Sequence, residues 1–253
     1  MMKRIVGVNV AVACLLSVSL HADKADLAKA EPEVFLKYAR QPFTQNAWGR
    51  FEGVVQHRGP GERYRMHIRL GLLLRRDFLR AQLVLDTQAV YNIMQIYYRD
   101  GPPNITVSGP DTPAAHGLED LGIRPSDIAF SFLYWDFVRE HESEKIRGHQ
   151  CRVMTLQHPH SKEKAVVYFS AEYAFPLRVR MGRHKGQPDG SRTLEFTEFK
   201  REGDLWYVQT LYLRGPDWKT QVAFRKADMA LEKEQAPPAS LFLPEKLPVP
   251  EGE

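Results

Sequence analysis

Few side chains in this sequence are suited to chemistry, and their spacing does not assemble a catalytic centre. His158 and His160 flank Pro159 and could offer two metal ligands, but no cysteine or acidic residue is placed to complete the set. A solvated turn accounts for them more simply. His141-Glu142 opens like the metal-binding helix of zinc proteases, yet Lys145 stands where the second histidine belongs and the surroundings read as strand. Glu119-Asp120 could act as an acid/base pair, although capping or loop charges are the commoner use of such neighbours. There is no Gly-x-Ser-x-Gly, no phosphate-binding glycine loop and no Cys-x-x-Cys, and Asn104-Ile105-Thr106 is a glycosylation sequon by spelling only. The reading is a protein that is not an enzyme and needs no cofactor and no metal.

The elements that would position any site follow from composition and period. The 253 residues carry 43% hydrophobic and 26% charged side chains, a globular balance that fits one large β domain. The net charge of +4 comes from interleaved signs, so a mildly basic surface that attracts anionic headgroups is expected, and nucleic acid is not. Met1-Met2-Lys3-Arg4, the mostly apolar Ile5–Leu20 and the small Ala22 spell a secretory signal, 1–22, cleaved after Ala22. Val12-Ala13-Cys14 is lipobox-like, but cutting there would leave Leu15–Leu20 exposed. Without Cys14, Cys151 has no partner for a disulfide and reads as a small buried apolar residue.

From 23 to 253 one domain is expected. Lys29–Arg40 suits a short amphipathic helix with Pro32 in its first turn and Val34, Phe35, Tyr38 and Ala39 on one face. From Trp48 the period changes to two. Tyr64, Met66, Ile68 and Leu70 alternate with Arg65, His67 and Arg69, which predicts a strand with one wet and one dry face. About a dozen such segments follow in series, separated by Gly/Pro/Asp turns, as in an antiparallel meander. The segment Gly109–His116 reads as a loop, and the proline-rich tail 235–253 as extended, with Ser240-Leu241-Phe242 docking an aromatic ring.

One block breaks the series. Ser126–Phe137 is densely apolar and aromatic, with Ser126 as a helix cap, and predicts a short helix that must bury itself against the concave face of the sheet. Such a helix is either part of a sealed core or the lid of a ligand cavity. The flanking residues decide how the choice is weighed. Asp120-Leu121, Phe132-Leu133-Tyr134-Trp135, Gly148-His149-Gln150-Cys151-Arg152-Val153, Leu156, Pro159 and Pro176-Leu177-Arg178-Val179 resemble the pattern of LolA-like proteins, the outer-membrane lipoprotein-sorting and carrier superfamily. The resemblance spans roughly residues 30–244. It implies a mainly β fold: a highly curved antiparallel sheet forming an unclosed half-barrel with a helical lid or plug.

It also implies a periplasmic, monomeric, non-enzymatic carrier or chaperone for a lipid or lipoprotein acyl chain, working between inner- and outer-membrane partner proteins. The expected cavity wall is Met66, Ile68, Leu70, Leu83, Leu85, Ile93 and Met94 from the sheet, with Phe130, Leu133, Trp135 and Phe137 from the block. The carriers tie the lid shut with an arginine in the sheet. Here Arg69, Arg75, Arg76 and Arg80 are nearby in sequence, and none is singled out by its setting. The alternatives are a lipid- or lipoprotein-sensing envelope regulator and a scaffold with a filled core and no ligand.

Overall fold

The computed structural model describes residues 24–40, 46–86, 89–98, 103–110, 117–182, 192–203 and 205–243. Twelve strands form one antiparallel sheet: β1 (Ala47–Gly59), β2 (Glu62–Leu74), β3 (Phe78–Leu85), β4 (Ala89–Ile96), β5 (Asn104–Ser108), β6 (Asp136–Ile146), β7 (His149–Gln157), β8 (Lys164–Ser170), β9 (Pro176–Gly182), β10 (Arg192–Glu202), β11 (Leu205–Arg214) and β12 (Lys219–Leu231). Their spatial order is β5-β4-β3-β2-β1-β12-β11-β10-β9-β8-β7-β6, so the sheet is open and β5 and β6 are its two edges. Each strand therefore lies beside its sequence neighbour, except at β5 and β6. Between Ser108 and Asp136 the chain must cross from one end of the sheet to the other. The apolar block lies on that crossing, which is why it meets the concave face.

Period-two patterning decides which side chains fill the concavity. On β2, Met66, Ile68 and Leu70 are buried while Arg65 and His67 are exposed. The same face of β10 and β12 adds Leu194, Phe196, Val222 and Phe224. Helix α1 (Lys24–Lys29) was not foreseen from the sequence, and α2 (Pro32–Ala39) follows it. In α2 the buried face is Phe35, Leu36 and Ala39, whereas Val34 is 58% exposed. This corrects the expected face, because Phe35 turns toward Phe169, 5.6 Å away, and draws Leu36 inward instead of Val34. Arg152 from β7 holds the helix in place by donating to Ala30 O at 2.6 Å, with its guanidinium 4.5 Å above the Phe35 ring.

The convex face is partly covered as well. Residues 235–243 run across it, with Trp48 Nε1 donating to Gln235 O at 2.8 Å. Gln82 exchanges hydrogen bonds with both main-chain groups of Leu243. Leu241 is buried and the Arg80 guanidinium lies 4.5 Å above the Phe242 ring. Gly71 makes this crossing fit, since a Cβ there would lie 2.4 Å from Leu241 O.

The block itself departs from the single helix expected. It holds one turn, α3 (Pro125–Ile128), then a 3-10 turn over Ser131–Tyr134, and Asp136 and Phe137 already belong to β6. Arg124, not Ser126, takes the cap position. Pro125 occupies the first turn, and Asp127 Oδ2 reaches back to accept from Arg124 N at 2.7 Å. Phe130 breaks the helix by adopting φ +49°, an uncommon left-handed conformation for a bulky residue and one that its packing must hold in place. The proposed signal 1–22, residues 111–116 of the predicted loop and the tail beyond 243 lie outside the described residues.

A latched lid over an apolar void

Beneath α3 lies a cavity of about 50 Å³. Ile68 and Leu70 of β2, Leu83 of β3, Leu194 and Phe196 of β10, Leu211 and Leu213 of β11, and Val222 and Phe224 of β12 form its walls, with Ile123, Ile128 and Phe130 from the crossing as its roof. Among the described residues Asp127 is the one charged group at its boundary. Of the residues expected to line a cavity, Ile68, Leu70, Leu83 and Phe130 meet at this void. Met66, Leu85, Ile93, Leu133 and Trp135 are buried elsewhere in the same core, and Phe137 packs against it. Met94 does not share that face. It follows the inward Ile93 on β4 and pairs with Arg80, so alternation turns it to the convex side.

The concavity is therefore filled mostly by the protein's own side chains. Phe130 stacks on Phe196 with ring centroids 5.1 Å apart and 26° between planes, and Phe175 packs edge-on against Phe196 at 5.7 Å. The walls of the 50 Å³ void are apolar and offer water almost no partner.

Polar groups from the sheet and α2 hold this roof at four places. Arg192, at the start of β10, donates Nη1 to Asp127 Oδ1 at 2.9 Å and Nη2 to Asp127 Oδ2. Its Nε and Nη2 also donate to Gly122 O at 3.1 and 2.8 Å. Both partners are 7% exposed. Gln95, fully buried on β4, donates Nε2 to Ala129 O at 3.2 Å and accepts from Ser131 Oγ at 2.6 Å. Arg40, just after α2, donates Nε to Leu133 O at 2.7 Å and Nη2 to Trp135 O at 3.0 Å. Burial pushes the Arg40 guanidinium down from its usual range, with Tyr134 and Asp136 opposing the shift.

The fourth hold fixes a tautomer. Thr220 Oγ1 donates to Leu121 O at 2.5 Å, which uses its single hydrogen, so the 2.8 Å contact with His57 Nδ1 requires His57 to donate from Nδ1. Gly122 lets the chain turn under Trp218. It sits at φ +66°, and a Cβ there would lie 2.2 Å from the indole.

None of the four arginines weighed from the sequence reaches the lid. Arg69 donates to Ser240 O, Arg75 pairs with Glu232 and Arg80 covers Phe242, all away from α3, while Arg76 is exposed in the β2–β3 turn. Arg192 was missed although it left a signal: it alternates in phase with Leu194 and Phe196, an arginine on an otherwise apolar face. Gln95 shows the same signature after Ile93. Among the described residues no group of three His, Cys, Asp or Glu side chains could hold a metal ion. His158 packs edge-on against Trp135 and His160 edge-on against His158, and Nδ1 of His158 accepts from the main-chain N–H of His160 and Ser161, a turn-forming role.

No family model and no curated protein matches the sequence. Solved structures do match the fold. A DUF1329 family protein from Desulfovibrio piger superposes with a TM-score of 0.58 at 14% identity, over 87% of this chain and 98% of that one. A domain assigned to outer membrane lipoprotein sorting from Vibrio parahaemolyticus gives 0.55 at 15% identity, over 82% and 93%. A LolA superfamily protein from Nitrosomonas europaea gives 0.54 at 11% identity, over 86% and 100%.

Proposed function

The chain has a LolA-like fold, and on that premise we propose that it is a non-enzymatic carrier or chaperone which takes the acyl chain of a lipid or lipoprotein between α3 and the concave sheet. The observation that carries the reading is a roof held by polar groups above a void with apolar walls. A lid meant only to seal a core gains most from apolar packing, whereas buried polar holds are directional and can be exchanged for water when the lid lifts. The closed form has no room for an acyl chain, so binding requires the lid to swing away and Phe130 to leave Phe196.

Lifting the lid exchanges two arginine holds and two neutral ones for water, at a cost on the order of 10 kcal/mol that burial of an acyl chain must offset. Ten buried methylenes return about 8 kcal/mol. An exported chain working in the bacterial envelope fits the signal-like 1–22, and hydrophobic cargo there needs a cover while crossing water. The protein then works as a monomer that meets a donor and an acceptor at the two membranes.

A second reading, a scaffold whose lid stays shut, is favoured by the small size of the void. Mass spectrometry of gently purified protein, together with titration of a fluorescent fatty acid, separates the two. Co-purifying lipid or saturable uptake at one-to-one stoichiometry supports the carrier. A lipid-free protein that takes up no probe, with lid residues as protected from hydrogen exchange as the sheet, refutes it.

A further inference from the structure

A second recess, of about 440 Å³, opens where the hairpin end of β1 and β2 meets the start of β12. Arg58, Arg63, Arg65 and Lys219 line it together with Gln56 and Gln221, and the stacked His57 and Tyr64 rings border it. Pairing register sets these side chains in two adjacent rows. Arg58 lies opposite both Arg63 and Lys219, and Gln56 lies opposite both Arg65 and Gln221. By alternation both rows belong to the convex face, away from the lid. Three cations in line across three strands repel one another, an arrangement a sheet normally avoids.

Among the described residues no carboxylate lines the recess. Glu62, next in sequence, accepts the Tyr64 hydroxyl and belongs to the neighbouring depression. Glu195, the acidic group facing Arg214 beyond Lys219, is already held by Arg178 at 2.8 Å. Lys219 rests with Nζ 4.3 Å from the Tyr212 ring centroid, so its position is fixed by stacking and not by an anion of the protein. Its pKa is pushed down by burial first and then by Arg214 and Arg58, with Glu195 opposing.

We propose that this recess binds a phosphate group carried on a larger molecule. Guanidinium forks match phosphate oxygens in pairs, and the two glutamine amides add neutral donors. The volume leaves space beside the phosphate for the group that bears it. The site is independent of the acyl cavity, so failure of lipid uptake leaves it standing, and its own failure leaves the carrier reading untouched.

The test uses the full chain without 1–22 and its Arg63→Gln/Arg65→Gln variant, with Arg139→Gln on β6 as a control. All three positions are exposed, and an unchanged melting temperature verifies the fold. Binding is measured to phosphatidylcholine vesicles with and without phosphatidylglycerol, to inorganic phosphate and glycerol phosphate, and to polyglutamate. Each cation removed weakens attraction to an anionic surface by about fivefold, so the double variant loses about twenty-five-fold.

Salt-sensitive binding to the anionic vesicles alone, competed by phosphate and lost in the double variant, assigns the site to a lipid headgroup. Binding of glycerol phosphate without vesicle binding, lost in the same variant, assigns it to a soluble phosphate ester. The proposal is overturned by binding to neither, by equal losses in Arg139→Gln, or by a preference for polyglutamate over phosphate.

Discussion

Replacing Arg192 by methionine is the sharpest probe of the lid, because the two readings of the fold predict different kinds of damage. The side chain spans Asp127 and Gly122 O inside a boundary where both ionic partners are 7% exposed. Removing one member of a buried pair leaves the other uncompensated, at a cost of about 3–5 kcal/mol while the site stays closed. For a domain of this size each kcal/mol lowers the melting temperature by about 2–4 °C, so a permanently shut lid predicts a fall of about 6–20 °C.

A lid that can lift returns Asp127 to water, and the loss is then capped by the free energy of opening. In that case exchange of the 118–135 amides quickens by about a hundredfold or more while that of the sheet does not, since about 3 kcal/mol is two decades in an equilibrium constant. Uptake of a fluorescent fatty acid rises in parallel. The Arg192→Met/Asp127→Leu double variant leaves no buried charge but loses the cap on Arg124 N, so it recovers part of the slow exchange and lowers uptake relative to Arg192→Met. Hydrogen exchange by mass spectrometry, a melt and the fatty-acid titration decide together. A large fall in melting temperature with unchanged lid exchange and no gain in uptake refutes a movable lid.

Gly122→Ala places a methyl group against the Trp218 ring at a left-handed position. We expect at least about 1–2 kcal/mol of local destabilisation, read as faster exchange around Leu118–Arg124. Filling the void works in the opposite sense: Val222→Ile occupies part of the 50 Å³, stabilises by at most about 1 kcal/mol and reduces fatty-acid uptake, both checked by melt and titration. Acidification tests His158, whose pKa is lowered by burial first and then by His160. The folded state thus binds fewer protons than the unfolded chain there, and this stability is present above about pH 6.5 and lost as pH falls through the lower folded value. Melts across that range should show the slope, and His158→Asn, which keeps an acceptor for the turn, should flatten it. Cys151 is fully buried and its thiol is pushed up by that burial, so a chain lacking 1–22 should react with a thiol reagent only after unfolding.

Which parts of this molecule are legible in the chain follows from the range of the forces involved. Alternation such as Met66, Ile68 and Leu70 against Arg65 and His67 is local, so the strands, their antiparallel order and the dry concave face could be read directly from the residues. The interruption at Ser126–Phe137 could be read for the same reason, because an apolar stretch without a two-residue period has to cross the sheet instead of joining it. Local pattern could not fix that Phe130 takes a left-handed φ, that Pro125 and Asp127 shift the cap to Arg124, or that Met94 falls on the outer side. Those depend on register and on the neighbours met across the fold.

The latch is the clearest case. Arg192 is 65 residues from Asp127, and only closure of twelve strands into one curved sheet brings them together. The size of the void belongs to the same class. The sequence supplies the apolar side chains, but whether they leave room for a guest depends on how Phe130, just after α3, interlocks with rings from β10 and the β8–β9 turn, and packing of that kind is settled only in three dimensions.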